Sequence, residues 1–160
     1  MIKTVAITLM LILLTPSGGD ILVQAQSKPT TNAALFNAKS ERFLNYAQDF
    51  LGFAKSQGDN ASESEVAMNL FEIASNQWER LSAAGTLLEI RDNLSCAEDR
   101  ATVRLVIARE FLTYRKLTAN SLESTNNELT HANNTAVVTE GMRMRDELRE
   151  VEKMFGVEPK

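Results

Sequence analysis

The chain has one cysteine, one histidine and only three prolines in 160 residues. A single cysteine excludes an intrachain disulfide. With one Cys and one His there is no C-x-x-C-H for covalent haem, no cysteine–histidine cluster of structural-zinc spacing and no second metal-ligand group. A glycine-rich phosphate loop and the G-x-S-x-G of serine hydrolases are also missing. Cys96 and His131, the one nucleophile–base combination available, fall 35 positions apart on what reads as a single helix, roughly 52 Å. No catalytic residue and no cofactor is therefore assigned.

Proline is absent from Thr30 to Glu158, so nothing in that interval forces a helix to break. The net charge is −4, too acidic to supply the dense positive surface that nucleic acid requires. Nucleic acid is set aside as a partner.

What is present begins with an address. Lys3 forms a positive n-region, Thr4 to Thr15 an apolar h-region, and Pro16 to Asp20 break it before Val23-Gln24-Ala25. That pattern predicts a signal peptide over residues 1–25, cleaved between Ala25 and Gln26. Its apolar run is about a dozen residues, where a spanning helix needs roughly 20, so no stable membrane span is expected after cleavage. The expected location is exported, periplasmic or extracellular. The remaining 135 residues suit one domain, expected over 33–156, with tails at 26–32 and 157–160.

Behind the leader, hydrophobic periodicity predicts an all-α protein, an antiparallel four-helix bundle with helices near 33–57, 62–93, 96–132 and 136–155. Phe36, Phe43 and Phe50 recur every seven residues, as a seam facing one bundle core does. Ser62-x-x-Glu65 and Ser95-x-x-Glu98 have capping-box spacing and predict the starts of the second and third helices. The third helix is the long one. Its stripe Ile107, Phe111, Tyr114, Thr118, Leu122, Thr125, Leu129, Ala132 keeps one phase through Thr125-Asn126-Asn127, so the break is placed at Asn133-Asn134-Thr135. Val137, Gly141, Met144, Leu148, Val151 and Phe155 form the seam of the last helix, and Gly156 is its expected cap.

Four features could carry binding chemistry. Arg100, Arg104 and Arg115 share a sector of the third helix, which suits an anion pocket because guanidinium binds carboxylate or phosphate through paired hydrogen bonds. The same stems also suit a helix flank whose heads reach Glu63, Glu72 or Glu89 on a neighbour, or water. Glu128-x-x-His131 matches the Glu-x-x-His pair of metal-binding bundles, although a lone imidazole in a last turn is more simply explained by the helix dipole. Cys96 could form an intermolecular disulfide or be a small residue with no chemistry. Three N-x-S/T sites, at Asn60, Asn93 and Asn133, fall at expected connections, where Asn also serves as a helix cap.

The expected function is an exported, non-enzymatic helical bundle acting by contact with a protein partner or by self-association. Small-anion or metal binding is the alternative.

Overall fold

The computed structural model of the protein describes residues 31–156, which form four helices: α1 (Asn32–Ser56), α2 (Ala61–Asn93), α3 (Ala97–His131) and α4 (Thr135–Phe155). The expected signal peptide, its cleavage site at Ala25/Gln26 and the residues after Gly156 lie outside the described residues. Among those described there is no strand, and no helix is long and apolar enough to cross a membrane.

Long-range hydrogen bonds fix the directions. Asn37 of α1 meets Glu89 of α2, while Ser64 at the start of α2 donates to the carbonyl of Ala54 near the end of α1. Asn69 and Gln77 of α2 meet Glu128 and Thr118 of α3. Phe111 of α3 makes an edge-to-face contact with Phe155, the last residue of α4. Each helix is therefore antiparallel to the next, and α4 returns to lie beside α1, where Lys39 and Arg42 pair with Glu147 and Lys39 also reaches Glu150 at 2.6 Å.

The core follows the sequence stripes. All six seam positions of α4 are buried, as are Phe36, Phe43, Tyr46, Ala47 and Phe50 of α1. Full burial of each large apolar side chain is worth about 2–3 kcal/mol, which is why these stripes decide the fold. One end is closed by four rings, with Phe36, Phe111, Phe155 and Tyr114 in contact at centroid separations of 5.2 to 5.6 Å. At the other end, Glu63 is buried and accepts hydrogen bonds from the backbone N–H groups of Asn133 (2.8 Å) and Asn134 (3.2 Å). It thereby satisfies donors that the α3–α4 connection would otherwise leave unpaired.

Local signals differ in detail from the sequence reading. The second helix starts earlier than the Ser62-x-x-Glu65 box: Asn60 is the cap, its Oδ1 accepting from the N–H of Glu63, and the turn before it is made at Gly58, whose φ of 57° is the left-handed conformation glycine tolerates. Asn60 wins because its own backbone is already non-helical, which leaves Ser62 and Glu65 inside the first turns and exposed. Cys96 rather than Ser95 precedes α3, and its side chain makes no capping bond. Asn32, expected in the tail, is the first residue of α1, held by Thr31 Oγ1 accepting from the N–H of Ala34. Gly156 does cap α4, but in the right-handed region at φ −86°.

The third helix runs unbroken through Thr125-Asn126-Asn127 to His131, as its constant phase predicts. It spans 35 residues against 21 for α4. Because α4 ends beside Phe111, residues 97–110 of α3 project past it, with Val106 and Glu110 facing α2 across a shared groove. That overhang creates the surface described next.

Candidate interaction surface

Along residues 97–118, α3 carries two apolar stripes. Val103, Ile107, Phe111 and Tyr114 turn inward to the core. Ala101, Leu105, Ala108 and Leu112 turn outward, and all four are exposed, Leu105 at 74% and Leu112 at 57%. Their spacing of four, three and four residues places them in one line at 100° per residue, a ridge about 16 Å long. Single exposed leucines are ordinary on protein surfaces, but a seam of heptad spacing with no partner among the described residues is not.

Cations border this ridge on both sides. At 100° per residue Arg104 and Arg115 fall about 50–70° to one side of its midline, and Arg109 and Lys116 fall about 50–70° to the other. All four are exposed. Arg115 approaches Glu152 of α4 at 3.9 Å, whereas among the described residues Arg104, Arg109 and Lys116 make no ion pair. The α3 acids nearest in phase, Glu98 and Glu123, stand beyond the two ends of the ridge.

A shallower feature lies on the adjoining side of α3. Trp78, Ala83 and Leu87 of α2 and Val106 and Tyr114 of α3 line an open groove of about 600 Å³, with Glu79 and Glu110 also on its walls. Trp78 is half-buried: it packs on the core while one side forms this wall. Tyr114 has its hydroxyl pKa raised above 10, first by burial and then by the Glu110 carboxylate.

The bundle interior holds a polar layer that periodicity does not reveal. Gln77 is fully buried, and its Oε1 accepts from Thr118 Oγ1 at 3.1 Å and from Arg80 at 3.0 Å, while Arg80 also donates to Ser121 Oγ. The Nε2 of Gln77 has no hydrogen-bond partner. Desolvation lowers the pKa of the half-buried Arg80.

The candidate residues expected from sequence are dispersed. Arg100 donates to the carbonyl of Leu94 at 2.9 Å, closing the α2–α3 connection. Arg104 points to solvent and Arg115 toward Glu152. Fifteen residues separate the first from the last, roughly 22 Å of helix, so the three guanidiniums do not converge on one pocket. Two of the three expected acid partners are engaged elsewhere, Glu63 with Asn133 and Asn134, and Glu89 with Asn37. Glu128 accepts from Asn69 at 3.2 Å, and His131 is exposed. Among the described residues no group of three or more His, Cys, Asp or Glu side chains is arranged to hold a metal. Cys96 is exposed with a free thiol, so it is accessible to a partner.

Architecture and surface together define an all-α bundle with a polar central layer and one uncovered helix face. No family model, no curated protein and no solved structure matches the chain. Its function is therefore argued from this surface.

Proposed function

We propose that this is an exported helical-bundle module that acts by protein–protein contact, using the outward ridge of α3. The observation that carries this reading is the line Ala101, Leu105, Ala108 and Leu112, exposed along a helix whose opposite face already fills the core. Such a seam gains free energy only when another surface covers it. Export is supported by the Lys3/Thr4–Thr15/Ala25 pattern of the leader.

Site-specific photo-crosslinking tests the contact. A photoreactive side chain at position 105 should give adducts in the compartment where the protein resides, and one at Asp49, on the exposed face of α1, should not. Equal yields from both positions, or none from 105, together with a monomeric mass by light scattering, would refute the assignment. Export has its own check: N-terminal sequencing of the natural protein should begin at Gln26.

A further inference from the structure

The chemistry around the ridge narrows what can cover it. We infer that the outward face of α3 docks an acidic amphipathic helix of another protein, with apolar residues at its seam and Glu or Asp on both flanks. This inference rests on the contact reading above and adds the partner's secondary structure and charge.

The ridge dictates a helix first. Positions spaced four, three and four are the a and d positions of a heptad, and a second helix presents side chains at the same repeat. The ridge alternates Ala101 and Ala108 with Leu105 and Leu112. The alanines let a facing backbone approach, and the two leucines, seven residues apart, act as knobs for holes two turns apart.

Charge selects the kind of helix. In heptad terms Arg104 takes a g position and Arg109 and Lys116 take e positions, which face the flanks of a bound helix. Those three cations have no ion-pair partner among the described residues. A helix with carboxylates on both flanks satisfies them; a basic one is repelled.

The same arrangement argues against a second copy. Whether two ridges pair parallel or antiparallel, cationic flank meets cationic flank, because neither Arg104 nor Arg109 has an acid in register to receive it. An anionic bilayer is disfavoured too. Half of the ridge is alanine, with no aromatic side chain to insert, and the chain as a whole is anionic at −4. A ridge of about three turns covers less than a standard interface, so the affinity expected is micromolar and falls with salt.

The test uses three fluorescent synthetic helices of three heptads each, with the same isoleucine–leucine seam and flanks of all Glu, all Gln or all Lys, titrated against the purified protein by anisotropy. The Glu helix should bind at least about tenfold tighter than the Gln helix and lose affinity between about 0.02 and 0.3 M salt. Leu105→Asp with Leu112→Asp should abolish this binding while circular dichroism and thermal midpoint stay as in the parent, since neither side chain is in the core. Arg104→Glu with Arg109→Glu and Lys116→Glu should transfer the preference to the Lys helix. Equal binding of the Glu and Gln helices, abolished by the leucine pair, would overturn the charge inference and leave the contact reading standing. Loss of crosslinking at position 105 as well would remove both. Binding of phosphatidylglycerol vesicles through Leu105 and Leu112, with no peptide bound, would overturn the inference in favour of a membrane surface.

Discussion

Gly141 of α4 faces Leu129 of α3 so closely that a β-carbon built on Gly141 would stand 2.7 Å from Leu129 Cδ2. Gly52 of α1, by contrast, has nothing within 4 Å of the same position. Both glycines interrupt helices, where alanine is intrinsically better by about 0.8–1 kcal/mol. Gly52→Ala should therefore stabilise the protein by up to about 1 kcal/mol. Gly141→Ala must turn the end of the Leu129 side chain aside, which offsets the propensity gain, so it should stabilise less than Gly52→Ala. Urea denaturation of the two variants decides the matter. If Gly141→Ala gained as much as Gly52→Ala, the close approach of α3 and α4 would be wrong.

Glu63 should give the protein part of its acid sensitivity. Hydrogen bonds from the backbone N–H of Asn133 lower its pKa, outweighing burial, with the Asn133 side chain and the Asn134 N–H adding to the effect. A carboxyl lowered in the folded state stabilises the fold above its unfolded value of 4.5 and loses that contribution as pH falls through the lower folded value. Glu63→Gln should thus lower the thermal midpoint at neutral pH, because its Nε2 would set a donor against the Asn134 N–H. It should also flatten the decline in stability below about pH 4.5. An unchanged acid limb would remove Glu63 from the account.

The buried amide of Gln77 leads to a prediction of opposite sign. Thr118→Val removes one of its hydrogen-bond partners and should destabilise by about 1 kcal/mol. Replacing both, as Gln77→Leu with Thr118→Val, also eliminates the unsatisfied Nε2 and should recover part of that loss, Arg80 keeping Ser121 Oγ as its acceptor. A double-mutant cycle in urea would show the coupling. Strictly additive losses would mean that the two side chains do not interact.

The two tyrosines should titrate late. The hydroxyl of Tyr46 is pushed up to about 12, mainly by burial and then by Glu147 and Glu140, and that of Tyr114 is raised as well. A raised folded-state pKa means that stability is fully present below pH 10 and is lost as pH rises through about 12. Ultraviolet titration of the folded protein should show no phenolate step at pH 10, whereas the protein in urea should show both there. Tyr46→Phe should leave one step, from Tyr114, still above 10. A full two-tyrosine amplitude centred on 10 in the folded protein would contradict the burial of Tyr46.

Burial along α4 was legible because its seam residues recur every three or four positions while most charged residues fall on the other faces, so one face goes inside. The end of α3 was legible for a related reason, since a stripe that holds its phase through Asn126 and Asn127 has no cause to stop there. Gln77, Ser121 and Arg91 are buried although their chemistry places them outside in any hydrophobicity pattern. Gln77 and Ser121 meet partners distant in sequence, Thr118 and Arg80, whereas Arg91 pairs with its neighbour Asp92. Charge pairing showed the same limit: Arg143 and Glu147 stand four apart on α4, the spacing of an intrahelical ion pair, yet Arg143 pairs with Glu140 and Glu147 with Lys39 and Arg42 of α1. The ridge was present in the sequence as Leu105 and Leu112, seven apart. One apolar stripe alone accounts for α3 as a bundle helix, and the second is distinguished only by the exposure of Leu105 and Leu112 in the fold.

The shortness of α4 also divides the molecule in time. Segments exchange their amide hydrogens according to how much packing must be undone to open them, and residues 97–110 are held from fewer sides than the part of α3 that runs beside α4. Amides there should exchange by local fluctuation, while those near Thr118 and Thr125 wait for global unfolding. The bundle then consists of a slow block closed by Glu63 at one end and a faster extension beginning near Phe111. The proposed recognition helix can yield to a partner without the fold itself letting go.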